Sequence, residues 1–192
     1  TASFNTYVGH ESGVGDGTQH SRNTGLGYQS LKVATSGENN TAIGNQSLLA
    51  LTTGGNNVAI GSNALPKNTT ASNNVAIGIN SMLDITTGQR NVALGSYTMA
   101  MNQSGNGAKT SNDNVFIGYN VGGGSWTAYS SQYNVAIGSF ALNHNLNGAN
   151  QNVVIGYKAL TVGTTVGTTL EHFQNTMKTK EKCFVATLGS TV

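Results

Sequence analysis

The chain has 192 residues, of which 9 are Lys or Arg and 7 are Asp or Glu, and its formal net charge is +2. Charged residues make up 8 % of the sequence, against about 25 % in an average soluble domain, so neutral polar side chains must cover its surface. No basic stripe suited to nucleic acid runs along it, the single cysteine excludes an intrachain disulfide, and no run of about 18 apolar residues predicts membrane insertion.

One short motif recurs along the chain: an Asn stands four residues before a Gly, with mostly apolar or small residues between them. Its nine copies occupy 5–9, 23–27, 40–44, 57–61, 74–78, 91–95, 114–118, 134–138 and 152–156. The glycines are 18, 17, 17, 17, 17, 23, 20 and 18 residues apart. A nearly fixed period is the signature of stacked repeats. We therefore predict an all-β solenoid of about nine coils, with a repeat domain over residues 1–162.

Each coil is predicted to begin with a short strand. Counted from the repeat glycine, positions −3 and −1 mostly hold Val, Thr, Ile or Leu and position −2 is usually Ala, which is the alternation of a strand. Position +3 is usually small and position +4 is Leu or Met in most coils, which predicts a second short strand with one apolar side chain inward. We expect the small residues at −2 and +3 to form flat outer faces that pack closely against another chain.

The repeated Asn and Gly are predicted to be structural. We expect the asparagines to stack into an amide ladder between coils, with turn formation as the alternative. We expect the glycines to allow a backbone turn that a Cβ would forbid, or a close approach of neighbouring coils. The regular coils supply the representative residues Asn40, Asn57, Asn74, Asn91, Gly44, Gly61, Gly78 and Gly95.

Two coils carry insertions, over 99–113 and 121–133. Insertions in repeat proteins become loops on one face, often the binding face. The second insertion contains Trp126, Tyr129 and Tyr133, and because aromatic side chains dominate interfaces, we predict these three as receptor contacts. The alternative is that Trp126 covers a small core of the insertion or the seam between chains.

A set of aromatic residues directly after the repeat glycines is expected to pack across coils or chains, with a role as ligand platforms as the alternative. This set is Tyr28, Tyr97, Tyr119, Phe140 and Tyr157.

Catalytic and metal-binding patterns are weak. The four histidines lack metal-ligand spacing, and the seven acidic residues are scattered, whereas a glycosidase needs two carboxylates at a defined separation. We therefore predict no enzyme activity, no cofactor and no metal site. Pairs of threonines at 52–53, 69–70 and 86–87 raise ice binding as an alternative, but adjacent residues point to opposite faces of a strand.

The motif Asn-(Val/Thr)-Ala-(Ile/Leu)-Gly, followed after two residues by Ser or Ala and then Leu or Met, resembles the YadA-like head repeat of trimeric autotransporter adhesins. It also resembles the repeat region of phage and algal-virus tail-fibre proteins. The match is best over 40–99 and weaker over 5–31 and 114–160. The resemblance implies a left-handed parallel β-roll, a homotrimer about a common axis, and a role in attachment.

The coils are longer than the usual adhesin repeat, and the chain has no evident membrane anchor or heptad stalk. These departures favour a virion tail fibre, at the virion surface or otherwise extracellular, that recognises a glycan or protein receptor on a host cell. The alternatives are a bacterial trimeric adhesin head, a polysaccharide-cleaving tail spike and an ice-binding solenoid. Residues 163–192 break the repeat pattern, and we predict a segment that caps the solenoid or clasps the trimer.

Overall fold

The structure is a computed structural model that describes residues 4–15, 20–100, 110–124, 130–143 and 150–160, together with strand 184–187. These residues contain ten strands and no α-helix. The strands are β1 (Thr6–Val8), β2 (Thr24–Leu26), β3 (Thr41–Ile43), β4 (Val58–Ile60), β5 (Val75–Ile77), β6 (Val92–Leu94), β7 (Val115–Ile117), β8 (Val135–Ile137), β9 (Asn152–Ile155) and β10 (Phe184–Thr187).

All ten strands form one sheet in sequence order. Strands β1 to β9 are parallel, and the same position of the repeat pairs with itself in every step, as in Val58↔Val75 and Ile60↔Ile77. Because each strand returns beside its predecessor after one circuit of the chain, the architecture is a β-solenoid, which confirms the predicted all-β repeat fold. Strand β10 lies antiparallel to β9, with Phe184 opposite Ile155. The other residues of the predicted segment 163–192 lie outside the described residues.

The strands turn their small residues inward, which corrects the expectation that position −2 lies on an outer face. Ala59 is fully buried between Val58 and Ile60, which are both partly exposed. The physical reason is the narrow interior of a coil. In the coil that contains Ala42, the side chains of Leu48 and Leu51 are also fully buried and share the interior with it. The small residues at +3 from Ser30 onward are buried as well.

The predicted second strand after the glycine is also wrong, because these residues form turns. In the coil of Gly61, Asn63 and Leu65 adopt the left-handed backbone conformation, with φ of 52° and 49°. Most coils repeat this geometry at +2 and +4, and it recurs at the residue before the ladder Asn. Hydrogen bonds to neighbouring coils hold the turns, such as Leu65 N–H to Ser81 O at 3.0 Å and Asn63 N–H to Asn45 O at 2.8 Å. The residue at +4 does point inward, as expected.

The repeated asparagines form a buried amide ladder. The backbone N–H and the Nδ2 of Asn57 both donate to Oδ1 of Asn40, each at 3.0 Å, and Nδ2 also donates to the carbonyl of Ala71 at 2.9 Å. Both contacts to the preceding Asn Oδ1 recur at every step from Asn40 to Asn152. The ladder side chains from Asn23 to Asn152 are at most 3 % exposed. A buried amide is stabilising only when its donors and acceptor are paired, and this ladder pairs them.

The repeat glycine is required for two reasons at once. At Gly61, φ is +133°, a conformation that L side chains rarely adopt. A Cβ built at the same residue would lie 2.5 Å from the carbonyl oxygen of Gly78 in the next coil. Any larger residue would therefore strain the backbone and separate the coils.

In two coils the large and the small core residue have changed places, so that −2 is large and +4 is small. Phe116 replaces the usual Ala at −2 and is fully buried, and Gly122 replaces the usual Leu or Met at +4. A Cβ on Gly122 would lie 2.4 Å from the Phe116 ring. Tyr7 and Gly13 show the same pairing in the coil of β1. The interior therefore conserves volume across a coil, as close packing requires.

Candidate functional site

The outer sheet face consists of the side chains at −3 and −1 of the nine parallel strands. Position −3 contributes Thr6, Thr24, Thr41, Val58, Val75, Val92, Val115, Val135 and Val153, and position −1 contributes Val8, Leu26, Ile43, Ile60, Ile77, Leu94, Ile117, Ile137 and Ile155.

Every side chain of the outer sheet face is at least partly exposed, and none carries a charge. Ile77 in the middle of the sheet is 38 % exposed, and Val8 and Ile155 at its ends are 56 % and 45 % exposed. With strands about 4.8 Å apart, the face is about 40 Å tall. No part of the chain that the structure describes covers it.

The aromatic column consists of Tyr97, Tyr119, Phe140 and Tyr157, one from each of four successive coils. Their ring centroids are 6.0, 5.3 and 6.3 Å apart in that order, and each pair meets edge to face, with interplanar angles of 73°, 74° and 84°. The residues alternate between +2 and +1 of their coils. Packing across coils, as expected from the sequence, accounts for these contacts, and Tyr28 similarly stacks on His10 at 5.6 Å.

The aromatic column is nevertheless open to solvent. Tyr97, Tyr119 and Tyr157 are 42 %, 48 % and 56 % exposed, and Phe140 is partly exposed. The neighbouring +1 and +2 positions hold Ser96, Asn120, Ser139 and Lys158, and the Lys158 ammonium lies 5.2 Å from the centroid of the Tyr157 ring. The column is therefore an aromatic strip bordered by hydroxyl, amide and ammonium groups.

The same positions are mostly polar in the earlier coils. At +2 these coils carry Glu11, Gln29, Gln46, Asn63 and Asn80. The first three form a ladder of their own: Gln46 Nε2 donates to Gln29 Oε1 at 2.8 Å, and Gln29 Nε2 donates to Glu11 Oε2 at 2.6 Å. The change to aromatic residues begins at Tyr97, in the coil that carries the first insertion.

The predicted receptor contacts are only partly placed. Tyr133 is 56 % exposed and stands in the left-handed conformation, with φ of 59°, immediately before the ladder residue Asn134. It belongs to a different position of the repeat from the aromatic column. Trp126 and Tyr129 lie outside the described residues, as do 101–109 of the first insertion. The structure therefore leaves the predicted trio as a prediction. The aromatic column is a second group of aromatic residues, at other positions of the repeat.

Every described carboxylate is paired with a cation from a neighbouring coil. The pairs are Arg22–Glu38, Lys32–Glu11, Lys67–Asp84 and Arg90–Asp113. The hydrogen bond from Arg90 lowers the pKa of the Asp113 carboxyl, and Lys32 and Gln29 lower the pKa of Glu11. These groups therefore stay ionised, which suits coil-to-coil pairing and does not suit a general acid.

The described residues contain no cluster of three or more His, Cys, Asp or Glu side chains that could hold a metal ion. Among them there is also no helix with the length and apolar character needed to cross a membrane.

No protein-family model, curated protein or solved structure matches the chain. The resemblance of its repeat to adhesin heads and tail fibres therefore stays a prediction from the motif.

Proposed function

We propose that the chain is a non-enzymatic segment of a virion tail fibre or receptor-binding attachment protein that recognises a host cell surface. In this proposal it is a left-handed β-roll, and three copies associate about a common axis through the outer sheet face. The observation that carries the proposal is that face, an uncharged and mostly apolar surface that runs along all nine parallel strands. The resemblance of the repeat to tail-fibre sequences supports the same reading.

The size of the outer sheet face fits an interface. Nine strands about 4.8 Å apart and two side-chain columns about 7 Å apart give roughly 300 Å² of mostly apolar surface. A contiguous apolar patch of this size on a monomer often marks an interaction site. Its burial would remove Val, Ile and Leu side chains from water, which is favourable at about 25 cal/mol per Å² of apolar area.

The partner that best fits the outer sheet face is another copy of the same chain. The face repeats with the strand spacing along its whole length, so a second copy presents an identical series of ridges at the same period. A face without charge on any side chain also lets identical surfaces meet without like-charge repulsion. Three copies around an axis would bury these faces against one another.

An attachment role follows from this arrangement because binding sites would be displayed three at a time. Three weak sites on a rigid body gain about 10²–10⁴ in apparent affinity when all can bind together. Pairing of the described carboxylates supports a binding function over a polysaccharide-cleaving one. The threonine pairs do not favour ice binding, since the hydroxyls of Thr52 and Thr69 donate to carbonyls of the next coil.

The test is the mass in solution by size exclusion with light scattering. We expect about three times the chain mass of 19.8 kDa. Ile77→Lys places a charge in the middle of the outer sheet face, and we expect it to dissociate the trimer because an unpaired charge is costly to bury. Thr53→Lys, at an exposed turn away from that face, is the matched control and should keep the trimer. A monomeric wild-type chain would overturn the proposal.

A further inference from the structure

We propose that the aromatic column Tyr97–Tyr119–Phe140–Tyr157 is a platform for an extended, uncharged glycan chain. The inference rests on the proposed attachment function and deepens it, because it assigns the recognition surface and the class of ligand. The column shares no residue with the outer sheet face or with the predicted contacts Trp126, Tyr129 and Tyr133.

The first argument is the position of exposed aromatic rings in a costly backbone conformation. Tyr97 and Phe140 have φ of 58° and 59°, in the left-handed region where bulky residues are uncommon. All nine coils adopt this conformation at +2, where most carry Asn or an unbranched polar residue such as Gln46, and Asn tolerates this region well. A residue that is locally unfavourable and is not rewarded by burial is a sign of selection for function.

A comparison within the same coils strengthens this argument. Leu48, Met82 and Leu142 at +4 also adopt positive φ, but they are fully buried and their packing offsets the strain. Tyr97 is 42 % exposed, so burial in the solenoid offsets less of the strain there. Contacts with a ligand would supply the remaining stabilisation.

The shape of the column fits a linear polymer. It advances by one ring in each coil, so it extends about 14 Å from the first coil to the fourth. Tyr97, Tyr119 and Tyr157 are 42 %, 48 % and 56 % exposed, so each of them has surface open to a ligand. The negative face of an aromatic ring attracts groups with partial positive charge, and the C–H face of a pyranose ring is such a group.

The chemistry beside the column selects a neutral, hydroxyl-rich ligand. Ser96, Asn120 and Ser139 lie at the +1 and +2 positions of these coils and offer hydroxyl and amide groups to sugar hydroxyls. Lys158 is the only charged residue at these positions, and its ammonium lies over Tyr157. An anionic polymer would need more cations, whereas a neutral glycan needs rings and hydrogen-bonding groups.

The test uses the full chain and a panel of neutral hexasaccharides: cellohexaose, xylohexaose, mannohexaose, maltohexaose and chitohexaose, with binding measured by titration calorimetry. The key variant is Tyr97→Asn combined with Phe140→Asn, because Asn occupies +2 in other coils at the same backbone conformation. Tyr28→Asn is the matched control, since Tyr28 is a similarly exposed aromatic residue outside the column. We expect saturable binding of at least one hexasaccharide, a loss of about tenfold or more in the double variant, and no change in the control.

The inference is overturned if no hexasaccharide binds, or if the double variant binds as the wild type does. It is also overturned if the double variant changes the mass in solution, because the column would then be a contact between chains. Light scattering on the same samples separates the two proposals. A trimer that binds no glycan overturns this inference alone, whereas a monomeric wild-type chain overturns the proposed function.

Discussion

The coils from Asn23 to Gly95 and those from Gly95 to Leu160 have the same strand pairing and turn geometry in the described residues, but they differ in length and in side chains. In the first region, the regular half, successive repeat glycines are 17 residues apart, the cores are built from Ala with Leu, Met or Ile, and most turns are polar. The second region, the insertion half, has longer coils, a Phe116–Gly122 core pair and the aromatic column. The Asn ladder continues through both without interruption. The comparison shows that the Asn ladder and the repeat glycine are common to both halves, whereas the core pair and the turn residues differ between them.

The largest loss of stability is expected when the core pair of the insertion half is changed. Phe116→Ala removes a fully buried ring and leaves a cavity above Gly122, so we expect a loss of about 3–5 kcal/mol in the free energy of unfolding. Phe116→Ala with Gly122→Leu rebuilds the core of the regular half and should recover much of that loss. Denaturant unfolding of both variants checks this, and a double variant no more stable than the single one would contradict it.

The next prediction concerns whether each Asn of the ladder contributes equally to stability. Asn74→Ala removes the acceptor for the backbone N–H and Nδ2 of Asn91 and the donor to Gly88 O. Unpaired buried groups cost about 1–3 kcal/mol each, so we expect a loss of roughly 2–4 kcal/mol.

Asn152→Ala is the comparison for that variant. Asn152 ends the ladder within the described residues, and its backbone N–H still reaches Asn134 Oδ1 after the substitution. We therefore expect a smaller loss, of about 1 kcal/mol. Equal losses for Asn74→Ala and Asn152→Ala in thermal or denaturant unfolding would show that the position in the ladder does not matter.

A smaller effect is expected when an aromatic residue is introduced into the regular half. Asn63→Tyr must keep a left-handed backbone, with no aromatic neighbour at the same position, and we expect a loss of about 1 kcal/mol. Asn63→Gly, which adopts this conformation freely, should change stability by only a few tenths of a kcal/mol. If Asn63→Tyr were neutral in unfolding measurements, the strain argument for Tyr97 and Phe140 would fail.

The smallest effect concerns the ion pair at the boundary of the two halves. The pKa of Asp113 in the folded chain is lowered from its ordinary value of 3.8 by the hydrogen bond from Arg90. Its contribution to stability is therefore fully present above that ordinary value and is lost as the pH falls through the lower folded pKa. Asp113→Asn should remove this part of the pH dependence of the thermal midpoint below about pH 5, and 1 M salt should weaken it. An unchanged acid profile in Asp113→Asn would contradict the assignment.

Much of the scaffold was predictable because it rests on periodic positions. Val, Ala and Ile around Ala59 alternate as a strand must, and the fixed spacing of the glycines implies stacking. The alternation alone, however, does not say which face is inside. The sequence interpretation favoured an outward Ala, whereas the side chains of Leu48 and Leu51 leave room for little more than a methyl group in the coil interior.

The turns were beyond the reach of local sequence signals. Leu65 and Met82 have no preference for positive φ, and their positions adopt it because the inter-coil hydrogen bonds and their own burial outweigh the strain. The aromatic column was visible as single residues, but its alternation between +1 and +2 has meaning only once the turn geometry is known. Tyr133 was selected because it lies in the insertion, although the sequence already places it directly before the ladder residue Asn134 and not at +1 or +2.

The spacing of the coils has a consequence for how the chain uses its length. A coil of 17 residues advances the solenoid by about 4.8 Å, or about 0.3 Å per residue, whereas an α-helix advances about 1.5 Å per residue. A helical stalk would therefore reach a given height with about one fifth of the residues. The chain instead has a long circumference in each coil. Each coil therefore offers many side-chain positions, and these positions repeat in register from one coil to the next. Such a body offers more side-chain surface for each ångström of height than a helical stalk does.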